Sequence, residues 1–451
     1  MTDPRRAWLH CRPAIPPAAV PPASRSALPA AAPTILVISQ VYVPDPAAVG
    51  QHMHDAAADL AARGYRVIVY TSARGYEDPA QRYPKREYLD GVDVRRLPFS
   101  SLGKQSIAAR LAGGGVFLLQ ALLRGLFTAR LAGILVSTSP PHAPLAAIAL
   151  SRLRGAPMTF WAMDINPDQM IAMGKTTAAS LPARLFDRMY RMTLRRASAV
   201  VALDRFMADR LERKLGPDAL RNKLHVLPPW SHDEHLASVP HDDNPFRHEH
   251  GLDGKLVVMY SGNISPAHPL DTVLQAAEQL RDEDGLVFLF IGGGLQKEKI
   301  EAWAKEKDLS NVRTLPYQPL DRIKYSLSAA DVHLVAMGEA MVGIVHPCKV
   351  YGALTVARPI LLLGPKASHA GEIADLGVGW QADHGVVDGV VELLRRLNRD
   401  RPAELAEKGQ AAGELAAGRF ASRGVRDRFA DVVEGTLPTS KRLASNGAAT
   451  A

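Results

Sequence analysis

The chain alternates short apolar runs with amphipathic stretches. In the first half, the run TILVISQVY (34–42) precedes a polar loop, the helix-like HDAAADLAARG (54–64) and a second apolar run, YRVIVYTS (65–72). Apolar runs of this length, rich in β-branched residues, predict buried strands, and the helical period between them predicts a crossover helix. This β–α–β order is typical of a parallel sheet wound with helices.

The same rhythm continues and, after a polar interruption, starts again. Further strands are predicted, some together with the turn or loop that follows them, in the first half at 93–99, 133–141, 157–168 and 198–204, and in the second half at 255–263, 286–294, 311–319, 332–337 and 359–364. In 157–168 the strand comes first and the segment MDINPD (163–168) forms its loop. The polar stretch 231–251 shows neither the helical nor the strand period of apolar residues and marks a domain boundary. The predicted fold class is therefore α/β, with two doubly wound, Rossmann-like parallel-sheet domains that face a cleft.

The pattern also divides the chain into six segments. They are, in order, a disordered Pro/Ala-rich tail (1–33), an N-terminal domain (34–235), a linker (236–251), a C-terminal domain (252–418), a helix able to cross back to the first domain (419–437) and a second disordered tail (438–451). The first tail holds eight prolines and nine alanines, a composition that neither continues a helix nor builds a core.

Composition narrows the class of partner. The 451 residues are 47% apolar and 22% charged, which is typical of a globular protein. A net charge of +8 favours an anionic partner: nucleic acid, a membrane face or a phosphorylated small molecule. No long basic run with interleaved aromatics is present, so no nucleic-acid partner is expected. Cys11 and Cys348, the only cysteines, cannot form a zinc site or a disulfide framework, which favours a reducing, cytoplasmic compartment.

The most apolar long stretch is VFLLQALLRGLFTARLAGILV (116–136), which Arg124 and Arg130 interrupt. No stretch of about 20 residues is apolar enough to span a bilayer. We predict a helix packed on a sheet, followed by a strand. The alternative is a helix that lies on the membrane surface, supported by the basic stretch 184–223, which would place the protein at the inner face of the membrane.

A turn in the second domain offers candidate donors. SGNISPAHPLD (261–271) joins a predicted strand to a predicted helix, where ligands bind in open α/β sheets. Gly262 allows the backbone to approach a ligand, and Asn263 and His268 are candidate side-chain donors. The alternative is an ordinary β–α turn.

A second glycine turn, IGGG (291–294), also ends a strand. Gly292 and Gly293 suit a diphosphate or a base lying against the backbone, although tight packing explains them equally well. The run lacks the GxGxxG and GK[ST] patterns, so it is neither a dinucleotide fingerprint nor a P-loop.

The segment GIVHPCKVYG (343–352) carries a lysine at the start of a predicted helix. Pro347 suits the position before or at that start, and Lys349 then falls in the first turn. A lysine there opposes the helix dipole, at a cost of a few tenths of a kcal/mol. An anion between the lysine and the helix would offset that cost, so we predict a phosphate grip; a solvated lysine is the alternative.

The first domain supplies further candidates. Gly50 lies in the first β–α loop, where a ligand could approach, and His52 and His54 lack the spacing of a metal site. Asp164 and Asp168 follow a predicted strand and suit sugar hydroxyls or general-base work, although Asp is also a routine loop residue. No G-x-S-x-G or H-E-x-x-H motif supports a hydrolase or a metalloprotease.

Three segments carry a resemblance to a known family. They are YSGNISPAHPLDTVLQA, PYQPLDRIKYSLSAADVHLV and HPCKVYGALTVARPILLLGP. With the two tandem sheets, they resemble the bacterial GT-B glycosyltransferases of family 4, in the WbuB-like branch that builds surface polysaccharides. That branch usually reads Pro-Ser-Lys-x-Tyr-Gly and then Gly-Arg-Pro-Val. Here Pro347, Cys348 and Lys349 begin the block, and Ala357 and Arg358 precede its last proline.

The resemblance implies a retaining sugar transfer in cell-surface polysaccharide assembly. The donor would be a nucleotide-diphosphate sugar, UDP-linked, and the acceptor a saccharide or a polyprenyl-linked sugar. No metal or cofactor is expected, because basic side chains and helix N-termini would stabilise the leaving diphosphate. From the motifs and the resemblance together, we assign nucleotide-sugar contacts to Gly50, Gly262, Asn263, His268, Gly292, Gly293, Lys349 and Tyr351, catalytic roles to Lys349 and Asp164, and acceptor-side roles to His52 and Asp168.

The chain also departs from the family. Many members carry two glutamates eight positions apart, which would fall here at Ile344 and Gly352, and a basic residue near the position of His268. Two alternatives therefore stay open. One is an isomerase of the UDP-sugar 2-epimerase type on the same fold, and the other is a non-catalytic GT-B-like subunit that binds a nucleotide sugar or a partner.

Overall fold

The computed structural model describes residues 32–45, 47–75, 80–99, 107–231, 238–399 and 402–443. Within them, the strands are β1 Thr34–Ile38, β2 Arg66–Ser72, β3 Arg86–Leu89, β4 Val92–Leu97, β5 Leu131–Ser137, β6 Met158–Ala162, β7 Ala199–Ala202, β8 Leu224–Val226, β9 Leu256–Ser261, β10 Leu286–Ile291, β11 Val312–Leu315, β12 Val332–Ala336, β13 Ile360–Leu363 and β14 Gly379–Ala382.

The helices lie between and after these strands. They are α1 Ala48–Ala62, α2 Ile107–Leu126, α3 Ala143–Arg154, α4 Asp168–Ala172, α5 Leu181–Arg196, α6 Arg205–Leu215, α7 Pro245–Glu249, α8 Asp271–Gln279, α9 Lys297–Glu306, α10 Ile323–Ser328, α11 Lys349–Thr355, α12 His369–Ile373, α13 Val387–Arg399, α14 Pro402–Ala417 and α15 Ser422–Thr436.

The first sheet has the order β3-β4-β2-β1-β5-β6-β7-β8 among the described residues, and all its pairs are parallel except β3–β4. Every residue of β1, β5, β6 and β7 is buried, because helices cover both faces of the sheet. This explains why their sequences are continuous apolar runs rather than alternating ones. The strand order reverses direction between β1 and β5, where open sheets of this type form a binding crevice.

The second sheet is parallel throughout, in the order β11-β10-β9-β12-β13-β14. Its own reversal point lies between β9 and β12. The turn after β9 and the loop after β12 therefore flank one crevice, and both carry residues that the sequence analysis singled out. These two sheets confirm the predicted α/β class.

The last helix returns to the first domain. Phe429 of α15 packs against the indole of Trp161, with ring centroids 4.1 Å apart. Arg63, just after α1, donates to carboxylates of Asp431 at 2.6 Å and Glu434 at 2.7 Å. The chain therefore runs from the first domain into the second and back again.

Three local predictions are corrected. The first helix begins at Ala48 rather than His54, so the loop after β1 is shorter than predicted. Half of the predicted linker folds as part of the second domain, because Asn244 caps α7 and Phe246 is fully buried. Residues 438–443 were assigned to a disordered tail, yet Lys441 donates to the carbonyl of Leu131. The remainder of both predicted tails, 1–31 and 444–451, lies outside the described residues.

None of the helices within the described ranges combines the length and the apolar character needed to cross a lipid bilayer.

Candidate active site

Lys349 occupies the crevice between β9 and β12. It is the first residue of α11, which follows the loop after β12, and its side chain reaches the turn after β9. A Cβ atom placed on Gly262 would lie 3.3 Å from Lys349 Nζ, so the lysine lies directly on that glycine. The ammonium also lies 4.6 Å from the centroid of the Tyr260 ring, a cation–π contact.

The charge of this lysine is poorly solvated. Burial lowers the pKa of Lys349 to about 8, and only the adjacent Cys348 opposes that shift. Among the described residues, no carboxylate contributes to holding the ammonium in its charged form. A half-buried cation without a counter-ion attracts an anionic ligand, because the ligand restores the Coulomb energy that desolvation removes.

Glycines form the floor beside the lysine. Gly292 has φ of +136°, and a Cβ there would lie 2.1 Å from the carbonyl oxygen of Gly262, so the two turns touch backbone to backbone. Next to it, a Cβ on Gly293 would lie 3.1 Å from the ring of Tyr317, which is 48% exposed. The sequence offered two explanations for these glycines, a ligand lying against the backbone or tight packing. The close contacts show that packing alone accounts for Gly292 and for Gly293.

His268 lines the same crevice but not as a hydrogen-bond donor to a ligand. Its Nδ1 lies 2.8 Å from the carbonyl oxygen of Ala336, which can only accept, so Nδ1 carries the proton. Burial and the charge of Lys349 lower the pKa of His268 to about 3. The ring is therefore neutral and its Nε2 is an acceptor, which corrects the predicted donor role and suits a sugar hydroxyl rather than a phosphate.

Asn263 and Tyr351 occupy different layers of the site. Asn263 is exposed, and its backbone carbonyl accepts a hydrogen bond of 2.8 Å from the hydroxyl of Tyr260. Tyr351 is buried, and its hydroxyl lies between the Nε2 atoms of His346 and His369, at 2.9 and 3.0 Å. Tyr351 therefore lies beneath the site, which corrects its predicted contact with the donor.

Asp164 lies at the carboxyl end of β6, where the two domains meet. The next residue, Ile165, donates its backbone N–H to Ile344 of the second domain at 3.0 Å. Asn166 donates to the Asp164 carboxylate at 3.1 Å. Burial nevertheless raises the pKa of Asp164 to about 6, in the range of a useful general base.

Two residues that were predicted to contact a ligand do not lie in the cleft. Gly50 lies inside the first turn of α1, and a Cβ there would lie 3.0 Å from Cα of Tyr42, so backbone packing fills the space predicted for a ligand. His52 is only 2% exposed, between the rings of Trp161 and Trp230. It is a core residue, which corrects its predicted acceptor-side role.

Asp168 lines a cavity of about 530 Å³ between the first domain and the loop after β12. The Lys214 ammonium lies 2.6 Å from the Asp168 carboxylate and 2.5 Å from that of Asp187. Arg210 also lines this cavity and donates to the carbonyl of Val342 in the second domain. Within the described part of the chain, no group of three or more His, Cys, Asp or Glu side chains is arranged to hold a metal ion.

Sequence reasoning missed the polar contact between the domains. Asp204 caps α6, and its Oδ1 accepts from the N–H of Met207 at 2.8 Å. Its second oxygen lies 2.6 Å from Nδ1 of His346, a residue of the other domain. No local signal identifies that pair, whereas Tyr260 and Tyr317 adjoin the glycine turns and could have been noticed there.

The fold and the crevice define a class of protein: two facing Rossmann-like domains with a lysine, which none of the described carboxylates neutralises, at the reversal point of the second. Two family models match the chain. The model for the glycosyl transferase 4-like domain matches residues 47–230, and the model for glycosyl transferases group 1 matches residues 242–412. The chain belongs to family 4 of the GT-B glycosyltransferases and is a glycosyltransferase, as the resemblance implied.

Curated relatives agree with the two family models. The chain is 25% identical over 279 residues to a probable glycosyltransferase of Pseudomonas aeruginosa, WbjE, covering 62% of this chain and 68% of the relative. It is 26% identical over 360 residues to the putative colanic acid biosynthesis glycosyl transferase WcaI of Escherichia coli K12, covering 76% and 86%.

Solved structures share the fold. WaaG, a glycosyltransferase involved in lipopolysaccharide biosynthesis, superposes with a TM-score of 0.67 at 17% identity, over 89% of this chain and all of that one. Anabaena HepE in complex with UDP-glucose gives a TM-score of 0.66 at 16% identity, over 89% and 99%. These likenesses confirm the GT-B architecture.

Proposed function

We propose that the chain transfers a sugar from a UDP-linked donor to a saccharide or polyprenyl-linked acceptor, with retained anomeric configuration, in cell-surface polysaccharide assembly. The observation that carries this proposal is the Lys349 ammonium, which is half-buried beside Gly262 and has no carboxylate partner in the described part of the chain. The biosynthetic setting is supported by the name of one relative, a putative colanic acid biosynthesis glycosyl transferase, and by the description of the structural neighbour WaaG as involved in lipopolysaccharide biosynthesis.

The leaving diphosphate is the group that Lys349 would hold. Breaking the bond between the anomeric carbon and the phosphate oxygen leaves additional negative charge on the diphosphate. An ammonium placed at that oxygen in a poorly solvated crevice stabilises this charge more strongly than water does. The same arrangement makes a resident metal unnecessary, so we propose that transfer proceeds without one.

The remainder of the donor would lie along the neighbouring residues. Tyr317 offers a half-exposed aromatic face at the edge of the glycine floor, suited to stacking with a base. The Nε2 atom of His268 would accept a hydrogen bond from a sugar hydroxyl. HepE supports the choice of nucleotide, because that neighbour is solved with UDP and with UDP-glucose.

The acceptor would approach from the first domain. Asp164, with its pKa raised to about 6, is ionised at neutral pH and would orient the acceptor hydroxyl or take its proton. A polyprenyl-linked acceptor also needs a membrane surface. Helix α2 and the residue after it expose Leu119, Leu123 and Phe127, beside the basic residue Arg124, so we propose that this face contacts anionic lipid.

Calorimetry with UDP-, GDP- and ADP-sugars, in buffer with EDTA, tests the donor assignment. One nucleotide sugar should bind saturably, and Lys349→Ala should weaken that binding by roughly 10- to 100-fold, the worth of a charge-assisted hydrogen bond. Lys366→Ala is the matched control, because that lysine is exposed and pairs with Asp375. Absence of binding, or equal losses in both variants, would overturn the assignment.

A further inference from the structure

Four side chains form a hydrogen-bonded chain that crosses the domain boundary. Asp204 of the first domain contacts Nδ1 of His346 at 2.6 Å. The Nε2 atom of His346 lies 2.9 Å from the hydroxyl of Tyr351, which lies 3.0 Å from Nε2 of His369. All four side chains are buried, with Asp204 and His346 at 3% and 0% exposure. Buried polar groups in such a chain have few alternative partners, so their geometry is strongly specified.

The ionisation state of Asp204 determines the direction of its hydrogen bond with His346. Burial alone would raise the pKa of Asp204, but the hydrogen bond from His346 holds it below its usual value. An ionised carboxylate only accepts, so Nδ1 of His346 carries a proton that points across the boundary. The Asp204–His346 bond is therefore charge-assisted and directional, and it depends on how the two domains are docked.

The second hydrogen bond, between His346 and Tyr351, joins residues on either side of Lys349 in the sequence. His346 lies just before the N-terminus of α11 and Tyr351 lies in its first turn, with Lys349 between them in sequence. The His346–Tyr351 hydrogen bond links these two points, so a change in the His346 ring is transmitted to the turn that carries the ammonium. Phe420 packs on the Tyr351 ring at 5.2 Å and limits its movement from the other side.

We propose that His346 is a positioning residue that makes the donor grip depend on domain docking: Asp204 orients the His346 ring, and the His346–Tyr351 bond places Lys349 at the Gly262 turn. This inference rests on the proposed role of Lys349 in holding the donor diphosphate. It assigns Asp204, His346 and Tyr351 no contact with substrate.

The structure offers a variant that isolates the boundary contact. Asp204→Ser keeps a good N-cap for α6, but the shorter side chain does not reach His346. The backbone bond between Ile165 and Ile344 and the bond from Arg210 to Val342 remain, so docking is weakened rather than abolished. Arg205→Ala is the matched control, because Arg205 forms a neighbouring cross-domain ion pair with Glu372 that is exposed.

The test is a double-mutant cycle on nucleotide binding by the full chain. The probe is whichever of UDP, GDP and ADP binds the wild type most tightly, measured by calorimetry. Asp204→Ser should weaken binding about tenfold in the wild-type background and leave it unchanged in the Lys349→Ala background, since its effect passes through the lysine. Arg205→Ala should leave affinity within about twofold.

Tyr351→Phe supplies a second variant, which keeps the buried ring and removes only the hydroxyl; it should show the same loss and the same dependence on Lys349. Suppose that wild type binds nucleotide and Lys349→Ala weakens that binding. If Asp204→Ser and Tyr351→Phe then have equal effects in the wild-type and Lys349→Ala backgrounds, or no effect, His346 has only a structural role. In that case the inference fails while the proposed function stands. If wild type binds no nucleotide, the proposed function fails and the inference falls with it.

Discussion

At the scale of residues, the Lys349 ammonium predicts how nucleotide affinity depends on pH. Because its pKa is lowered to about 8 in the free protein, an anion that restores the charged form must take up a proton above that pH. Affinity for UDP should therefore fall as pH rises through 8, by about tenfold per unit between pH 9 and 10. Calorimetry in buffers of different ionisation enthalpy measures both the affinity and the proton uptake.

Lys349→Arg is the control for this dependence, since a guanidinium stays charged throughout the range. The same shift makes a statement about stability. In the unfolded state the lysine has a pKa of 10.5, so between pH 8 and 10.5 the unfolded state binds more protons than the folded state. The free energy of unfolding of the free protein should therefore increase as the pH rises through this range. An affinity for UDP that stays constant from pH 7 to 10 would contradict the placement of the lysine.

Asp164 predicts a dependence in the acid range. If the ionised carboxylate serves the acceptor, kcat should fall by about tenfold per unit below pH 6, because protonation removes the base. Asp164→Asn should be inactive at every pH. Asn166→Ala removes a hydrogen bond to the charged form, so the pKa of Asp164 should rise and the acid limb should move to higher pH. An acid limb that is the same in wild type and Asn166→Ala would refute this role.

At the same scale, the sequence predicted which residues line the crevice between β9 and β12 better than how their side chains are arranged there. The glycine turns and Lys349 were found from local motifs. The role of His268 was wrong because the carbonyl of Ala336, far away in sequence, decides which ring nitrogen carries the proton. His52 was misplaced because the rings that enclose it, Trp161 and Trp230, come from distant segments.

At the scale of elements, the returning helix α15 contributes to the stability of the first domain. Phe429 is 1% exposed and packs between two tryptophan rings. Phe429→Ala should lower the free energy of unfolding of that domain by about 3–5 kcal/mol, from lost burial and the cavity left behind. Chemical denaturation followed by tryptophan fluorescence measures this, because Trp161 and Trp230 report on the same region.

Arg428→Ala, one residue earlier on the exposed face of α15, should change the unfolding free energy by less than about 0.5 kcal/mol. Equal effects of the two substitutions would mean that α15 does not depend on the Phe429 contact. The sequence predicted this helix from its period, but a period does not say which domain receives the apolar face.

Strands were the elements that local patterns predicted best. In β1, β5 and β13, every residue is buried, so selection for apolar side chains leaves a continuous run that is visible in sequence. Helix α7 escaped prediction because its stability comes from elsewhere: Arg247 is buried and donates to the carbonyls of Ala329 and Leu252. A five-residue helix of this kind has no periodic signal of its own.

At the scale of the whole molecule, the loop after β12 docks the second domain onto the first. Gly343 in this loop has φ of +71°, and a Cβ there would lie 2.5 Å from the carbonyl oxygen of Phe206. Gly343→Ala should therefore force the domains apart at this point, lowering transfer activity at least tenfold, while most of each domain core is untouched. Activity assays and small-angle scattering together test this.

Gly352→Ala is the matched control, because a Cβ there makes only an ordinary contact with Leu327 at 3.6 Å and lies within α11. Its activity should stay close to that of the wild type. Full activity in Gly343→Ala would mean that catalysis does not need the docking seen between the loop and the first domain.

The sequence by itself determined the two-domain α/β fold, the glycine turns and the lysine that follows the loop after β12, because buried strands, turns and motifs are local patterns. Only the tertiary structure decided that His268 is an acceptor, that His52 belongs to the core and that Asp204 reaches His346 across the boundary. Protonation state, burial and cross-domain contact depend on atoms brought together from distant parts of the chain, and no local pattern encodes their separation.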